Sequence, residues 1–169
     1  MDHSFGYNAS SRPDDFLARS DLLWSFVDMV SKNGNLLLNV GPRGVDAGIP
    51  DEQRQRLQWL GEWFAGHESA VRATRPWVRP GATTAEGIGV RYTARDDDVF
   101  AIVEAAAPVL TLPDVAATPT TEVTTLAGEP VRWSPHADGL RVEASTVGPD
   151  ADAVTGPVVF RCRRVSATS

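Results

Sequence analysis

The segment that most limits what this chain can fold into is Asn35-Leu36-Leu37-Leu38-Asn39-Val40. Three consecutive leucines leave no polar alternation, the pattern of a strand covered on both faces in a parallel sheet. Such a strand needs neighbours to receive its backbone hydrogen bonds, and no second continuous apolar run of this type is read elsewhere in the chain. The expectation is therefore that the companions of residues 35–40 come from outside the 169 residues.

What flanks the run supports an α/β reading. Over residues 20–32, Leu22, Leu23, Phe26, Val27 and Val30 recur at helical spacing. Ser20 stands where a cap would, and Asp21 favours the helix dipole. Asn33-Gly34 provides a left-handed stop. After the run, residues 41–48 form a loop rich in turn formers. Pro50 and the acidic pair Asp51-Glu52 then open a second helix over 50–65, with Leu57, Leu60 and Phe64 as its core-facing stripe. Helix, strand, loop and helix form part of an α/β architecture. Without neighbours, the strand and the apolar helix faces of residues 1–80 are expected to be exposed, making that segment poorly soluble.

Beyond Trp77 the texture changes. Short Val- and Thr-containing segments at 88–93, 99–104, 109–112, 122–126, 131–134, 140–144 and 158–163 alternate with turn residues. They suit a small antiparallel sandwich. Asp96-Asp97-Asp98 and Asp138-Gly139 read as hairpin tips, the first of them a solvated turn. The boundary between the two textures falls within 74–80.

Composition removes several function classes. The chain carries 16 basic against 22 acidic residues, a net charge of -6, and the basic residues are scattered, so nucleic acid is not an expected partner. No basic leader with an apolar core opens the sequence and no long apolar run follows, so neither targeting nor membrane association is expected. The chain as given would stay in the cytoplasm. An opening directly on Ser4-Phe5-Gly6-Tyr7-Asn8, a packed aromatic turn, suggests an upstream part.

Few residues carry a chemical signature. Cys162 is the single cysteine and sits in an alternating strand, and His3, His67 and His136 lack metal-ligand spacing. Neither a metal nor a cofactor is expected. The loop after Val40 matches no phosphate-binding pattern and reads as a tight turn. Asp14-Asp15 and Asp51-Glu52 suit helix starts rather than an acid and nucleophile pair. Among the aromatic residues, Trp24, Trp59 and Trp63 are explained by helix packing. Phe5 and Tyr7, in a glycine-containing turn, are candidates either to pack in the core or to line a site, where an aromatic face can stack on the C–H surface of a sugar.

These motifs occur in a familiar order. Ser4-Phe5-Gly6-Tyr7-Asn8, then Ser31-Lys32-Asn33-Gly34-Asn35-Leu36-Leu37-Leu38-Asn39-Val40-Gly41-Pro42, Gly48-Ile49-Pro50, Gly61-Glu62-Trp63 and Ala73-Thr74-Arg75-Pro76-Trp77 resemble the C-terminal part of α-L-fucosidases of glycoside hydrolase family 29. Leu126-Ala127-Gly128, Val131-Arg132-Trp133 and Gly139-Leu140 fit the same family's β-sandwich.

The resemblance implies an incomplete C-terminal end of a (β/α)8-like barrel over 1–76, followed by a small antiparallel β-sandwich over 77–169. Residues 4–8 would be the strand-seven loop, 35–40 the last barrel strand and 50–65 the closing helix. It implies retaining hydrolysis of terminal α-L-fucose, with Phe5 packing beside the sugar and Tyr7 as its neighbour. The family's nucleophilic Asp and acid/base Glu lie upstream of the part represented here, so this chain alone is expected to be inactive. Its implied partners are a fucosylated glycan and the barrel segment. Two loops depart from the family pattern, Gly44-Val45-Asp46-Ala47-Gly48 and His67-Glu68-Ser69. A non-catalytic carbohydrate-binding or interaction sandwich is the alternative reading.

Overall fold

The computed structural model describes residues 4–144 and 156–168. His3 lies outside them. Among the described residues are a short 3-10 turn (Pro13–Asp15), two helices, α1 (Arg19–Ser31) and α2 (Asp51–Val71), and eight strands. The strands are β1 (Arg75–Thr83), β2 (Gly89–Arg95), β3 (Asp98–Val103), β4 (Val109–Leu112), β5 (Glu122–Thr125), β6 (Arg132–His136), β7 (Gly139–Glu143) and β8 (Val158–Arg163).

The strands form two antiparallel sheets, one ordered β1-β2-β3-β8-β5 and the other β4-β7-β6. Between them lies the main core. Val90, Tyr92, Val99, Ala101, Phe160 and Cys162 of the larger sheet meet Leu110, Leu112, Leu140 and Val142 of the smaller one. On the outer face of the larger sheet, Phe100, Ile102 and Val159 pack against Leu23, Val27, Trp63, Ala70 and Val71 of the two helices. The layers are thus helices, five strands and three strands.

This layering corrects two expectations. The strand covered on both faces is β3, in which Val99, Ala101 and Val103 face the sandwich core while Phe100 and Ile102 face the helices. Its continuous apolar run Val99-Phe100-Ala101-Ile102-Val103 is therefore a second segment of the kind read only at 35–40. Residues 35–40 form no strand, and Leu37 is 89% exposed. No described strand lies beside this segment to satisfy it. The helices, however, are not left bare: Leu22, Leu23 and Val27 are buried, because the sandwich supplies a surface for them.

Several boundaries also move. The first turn of α1 begins at Arg19 after Ala18, whose side chain provides no cap, and Leu22 N–H donates to Ala18 C=O. Ser20 therefore lies inside the helix. The end of α1 is as read from sequence: Asn33 adopts φ 63°, Gly34 N–H donates to Met29 C=O and Asn33 N–H to Val30 C=O. Helix α2 runs on to Val71, so His67, Glu68 and Ser69 are helical rather than loop residues. Its covered stripe is Gln53, Arg56, Trp63, Ala70 and Val71, whereas Leu57 is exposed and Leu60 and Phe64 are half-buried.

The strand missed in sequence is β1. Pro76 and Pro80 remove two backbone donors, which a sheet tolerates at an edge, and the register with β2 shifts between Pro76 and Gly81. The β2–β3 hairpin turns at Asp96, with φ 52°, and Asp97. Asp98 is not part of a solvated tip: it opens β3, is 7% exposed, and takes hydrogen bonds from Arg161 Nε at 2.8 Å and Arg163 Nε at 3.0 Å.

Candidate functional site

Residues 4–8, 35–41 and the start of α2 are brought together by polar and steric fit. The Asn39 side-chain amide donates to the Phe5 carbonyl oxygen. Gly41 lies directly against the backbone of Gly6 and Tyr7, in space that any Cβ at position 41 would have to occupy. The Gly41 N–H in turn donates at 2.8 Å to Oε1 of Gln53, a side chain 3% exposed in the first turns of α2. Asn8 Oδ1 accepts from Ser10 N–H at 3.0 Å and Asn8 C=O from Ser11 N–H at 3.2 Å, which folds the far end of the turn back on itself.

The adjoining loop, 41–48, is internally closed. Arg43 N–H donates to Gly48 C=O and Ala47 N–H to Arg43 C=O, with Ala47 at φ 55°. The Arg43 guanidinium grips Asp46 with two hydrogen bonds, Nε to Oδ1 at 3.1 Å and Nη2 to Oδ2 at 2.7 Å, and Gly48 N–H donates to Asp46 Oδ1 at 2.9 Å. These bonds hold the Asp46 carboxyl below its ordinary range. Hydrogen bonding and attraction from Asp46 raise the Arg43 guanidinium in turn, with a smaller contribution from the Tyr7 phenol. Val45, at the loop's crest, is 91% exposed.

Phe5 and Tyr7 are presented outward, 86% and 46% exposed. The turn therefore offers an aromatic face on an anchored backbone, with the Phe5 ring open and Tyr7 partly covered. A face of that kind suits the C–H surface of a sugar ring.

The other residues weighed from sequence have structural partners. Trp63 is buried and donates to Pro157 C=O at 3.1 Å, while His67 stacks on it with centroids 4.5 Å apart. Arg91 covers Trp24, and Arg56 lies over Trp59 and Phe16 while donating to Leu17 C=O at 3.0 Å. Cys162 is fully buried in β8, where burial pushes its thiol up to about 12. His136 sits on β6 beside Asp138. Asp14 and Asp15 belong to the 3-10 turn, where Asp15 accepts from Arg12 N–H at 2.7 Å, and Asp51 and Glu52 open α2. Among the described residues, no group of three or more His, Cys, Asp and Glu could hold a metal ion, and no helix is long and apolar enough to cross a membrane.

Sequence reasoning overlooked Asn39 and Gln53. Their signal was a polar residue where an apolar one was expected: Asn39 within the leucine run, and Gln53 on the covered stripe of α2.

Known proteins of similar sequence and shape agree in kind. The α-L-fucosidase family model matches residues 1–68. An α-L-fucosidase of Branchiostoma floridae is 35% identical over 147 residues, covering 85% of this chain and 32% of the relative. A tissue α-L-fucosidase of Bos taurus is 33% identical over 153 residues, 88% of this chain and 32% of the relative. The Thermotoga maritima α-fucosidase in complex with fucose superposes with a TM-score of 0.85 at 33% identity, over 95% of this chain and 38% of that one.

The chain spans about a third of the length of the curated relatives it matches. Because the likeness runs through the helices, the 4–8 turn and both sheets, the chain belongs to the α-L-fucosidase family, of which it represents a C-terminal portion.

Proposed function

We propose that this chain is the C-terminal segment of a retaining α-L-fucosidase that releases terminal α-L-fucose from glycoconjugates or oligosaccharides. The observation that carries this reading is the agreement of sequence and shape over 85% and 95% of the chain with proteins of which it covers 32% and 38%. Residues 1–74 then close a catalytic barrel, and the chain from Arg75, where β1 begins, forms the sandwich behind it. The partner of the chain is the upstream barrel segment, and the substrate of the complete enzyme is a fucosylated glycan.

In this reading Phe5 and Tyr7 form one rim of the sugar site. Barrel enzymes assemble their sites from loops at the C-terminal ends of several strands, and the turn 4–8 with the loop 41–48 would supply two of them. A retaining glycosidase also needs two carboxyl groups about 5 Å apart across the scissile bond. The family's pair belongs to the upstream barrel, so the chain by itself has a rim and no acid couple.

The test is kinetic. The purified chain should release no fucose from an aryl α-L-fucoside, and the same chain joined to the barrel segment should. In that complete enzyme Phe5→Ala should raise KM by about tenfold, the loss of one aromatic face packed on a sugar. Fucose release by the isolated chain at an ordinary enzymatic rate would overturn the assignment of the chemistry to the barrel.

A further inference from the structure

We propose that Asn39, Gly41 and Gln53 are positioning residues that set the Phe5–Tyr7 rim, a role that rests on the reading of that rim as sugar-facing. Phe5 is 86% exposed, so packing does not hold its ring, and Tyr7, 46% exposed, is only partly covered. Their place is therefore set through the backbone that carries them. Three contacts act on it from different elements.

Asn39 reaches across 34 positions of sequence to donate its amide to the Phe5 carbonyl oxygen. Gly41 lets the Gly6–Tyr7 peptide lie against its own backbone, an approach that a Cβ would block with atoms of the main chain rather than of a flexible side chain. Gln53 then fixes Gly41, accepting its N–H at 2.8 Å from a fully covered position on α2. The order of support runs from helix to loop to rim: α2 holds Gly41, Gly41 seats residues 6–7, and Asn39 ties residue 5.

A rim placed in this way needs the residues of its support to be what they are. Asp at 39 would present carboxylate oxygens to a carbonyl and repel it. Alanine at 41 would push the turn outward. Leucine at 53 would leave the Gly41 N–H buried without an acceptor, whereas glutamate retains an acceptor oxygen. Because the aromatic face meets the sugar in the ground state and the transition state alike, displacing it should change KM and spare kcat.

Two measurements test this. The backbone order parameter over residues 4–8 of the full 169-residue chain should fall below about 0.6 in Asn39→Ala and Gly41→Ala, with β3 staying at about 0.85, as expected for a segment released from its anchor. In the complete enzyme the same variants and Gln53→Leu should raise KM for an aryl α-L-fucoside by about tenfold while kcat stays within about twofold, and Gln53→Glu should recover most of the loss. Unchanged backbone order at 4–8 in both Asn39→Ala and Gly41→Ala overturns the proposal. So does an unchanged KM in those variants when Phe5→Ala raises it. If Phe5→Ala itself leaves KM unchanged, the sugar-facing reading of Phe5 fails, and lower backbone order at 4–8 then supports the positioning role on its own.

Discussion

Asp28 of α1 and Arg91 of β2, 63 positions apart, pair through Oδ1 and Nε at 2.5 Å and tie the helical layer to the larger sheet. The guanidinium also lies 4.8 Å from the centroid of the Trp24 ring. Its stem crosses Gly81, where a Cβ would come within 2.8 Å of Arg91 Cδ. Partial burial raises the Asp28 carboxyl, but hydrogen bonds from Lys32 and Arg91 more than offset this and leave it below its ordinary value. A carboxyl depressed in the folded state contributes stability that is present above its unfolded pKa and is lost as pH falls through the folded value. Asp28→Ala should cost about 1 kcal/mol at neutral pH, the figure for a charged hydrogen bond reduced by solvent screening, and should flatten the acid limb of stability below about pH 4. Urea melts of the chain from pH 7 to pH 3 check both statements.

The hairpin aspartate has a sharper cost. Asp98 is 7% exposed and holds Arg161 and Arg163 of the neighbouring strand β8. Asp98→Ala leaves two arginines side by side with their partner removed, and should destabilise the chain by about 2–3 kcal/mol, towards the lower end for a broken buried pair because both arginines reach solvent. Replacing Arg161 and Arg163 by leucine as well, in a triple variant, removes the unpaired charges and should recover part of that loss in a thermal melt.

His67 makes the helical layer sensitive to mild acid. Burial lowers its pKa, opposed by the hydrogen bond to the Trp63 carbonyl oxygen at 2.8 Å. The unfolded chain therefore binds a proton more readily, and stability falls as pH drops below the ordinary histidine value of about 6.5. His67→Phe keeps a ring on Trp63 and removes the titration, so it should lose less stability than the parent chain between pH 7 and pH 5. Equal losses for the two, read from denaturant midpoints, would remove His67 as the cause.

Cys162 should be chemically silent in the folded chain. It is fully buried between the sheets and burial pushes its thiol up to about 12, leaving almost no thiolate at neutral pH. Labelling by an aromatic disulfide reagent should be slower than in the urea-unfolded chain by a factor of at least about 100, limited by opening of the sandwich. Rapid labelling of the native protein would show that β8 opens locally.

Much of this structure was readable from patterns local in sequence. Helix α1 and its Asn33-Gly34 stop, and seven of the strands, follow from side-chain periodicity and turn chemistry acting within a few residues. Strand β1 was not readable, because Pro76 and Pro80 argue against a ladder until it is known that β1 lies at a sheet edge. Phe5 and Tyr7 stood out as aromatic residues in a glycine-containing turn. Asn39 and Gln53 did not, since their significance lies in partners 34 and 12 positions away.

The amino-acid order by itself determined both helices, seven of the strands and the family resemblance, because hydrophobic period and turn residues are properties of neighbouring positions. Only the tertiary structure decided that the helices lie on β3 and its neighbours, that β1 closes one edge of the larger sheet, and that Gly41 seats the Phe5–Tyr7 turn. Those outcomes depend on which surfaces are available to be covered, a competition among segments far apart in the chain that no local pattern records.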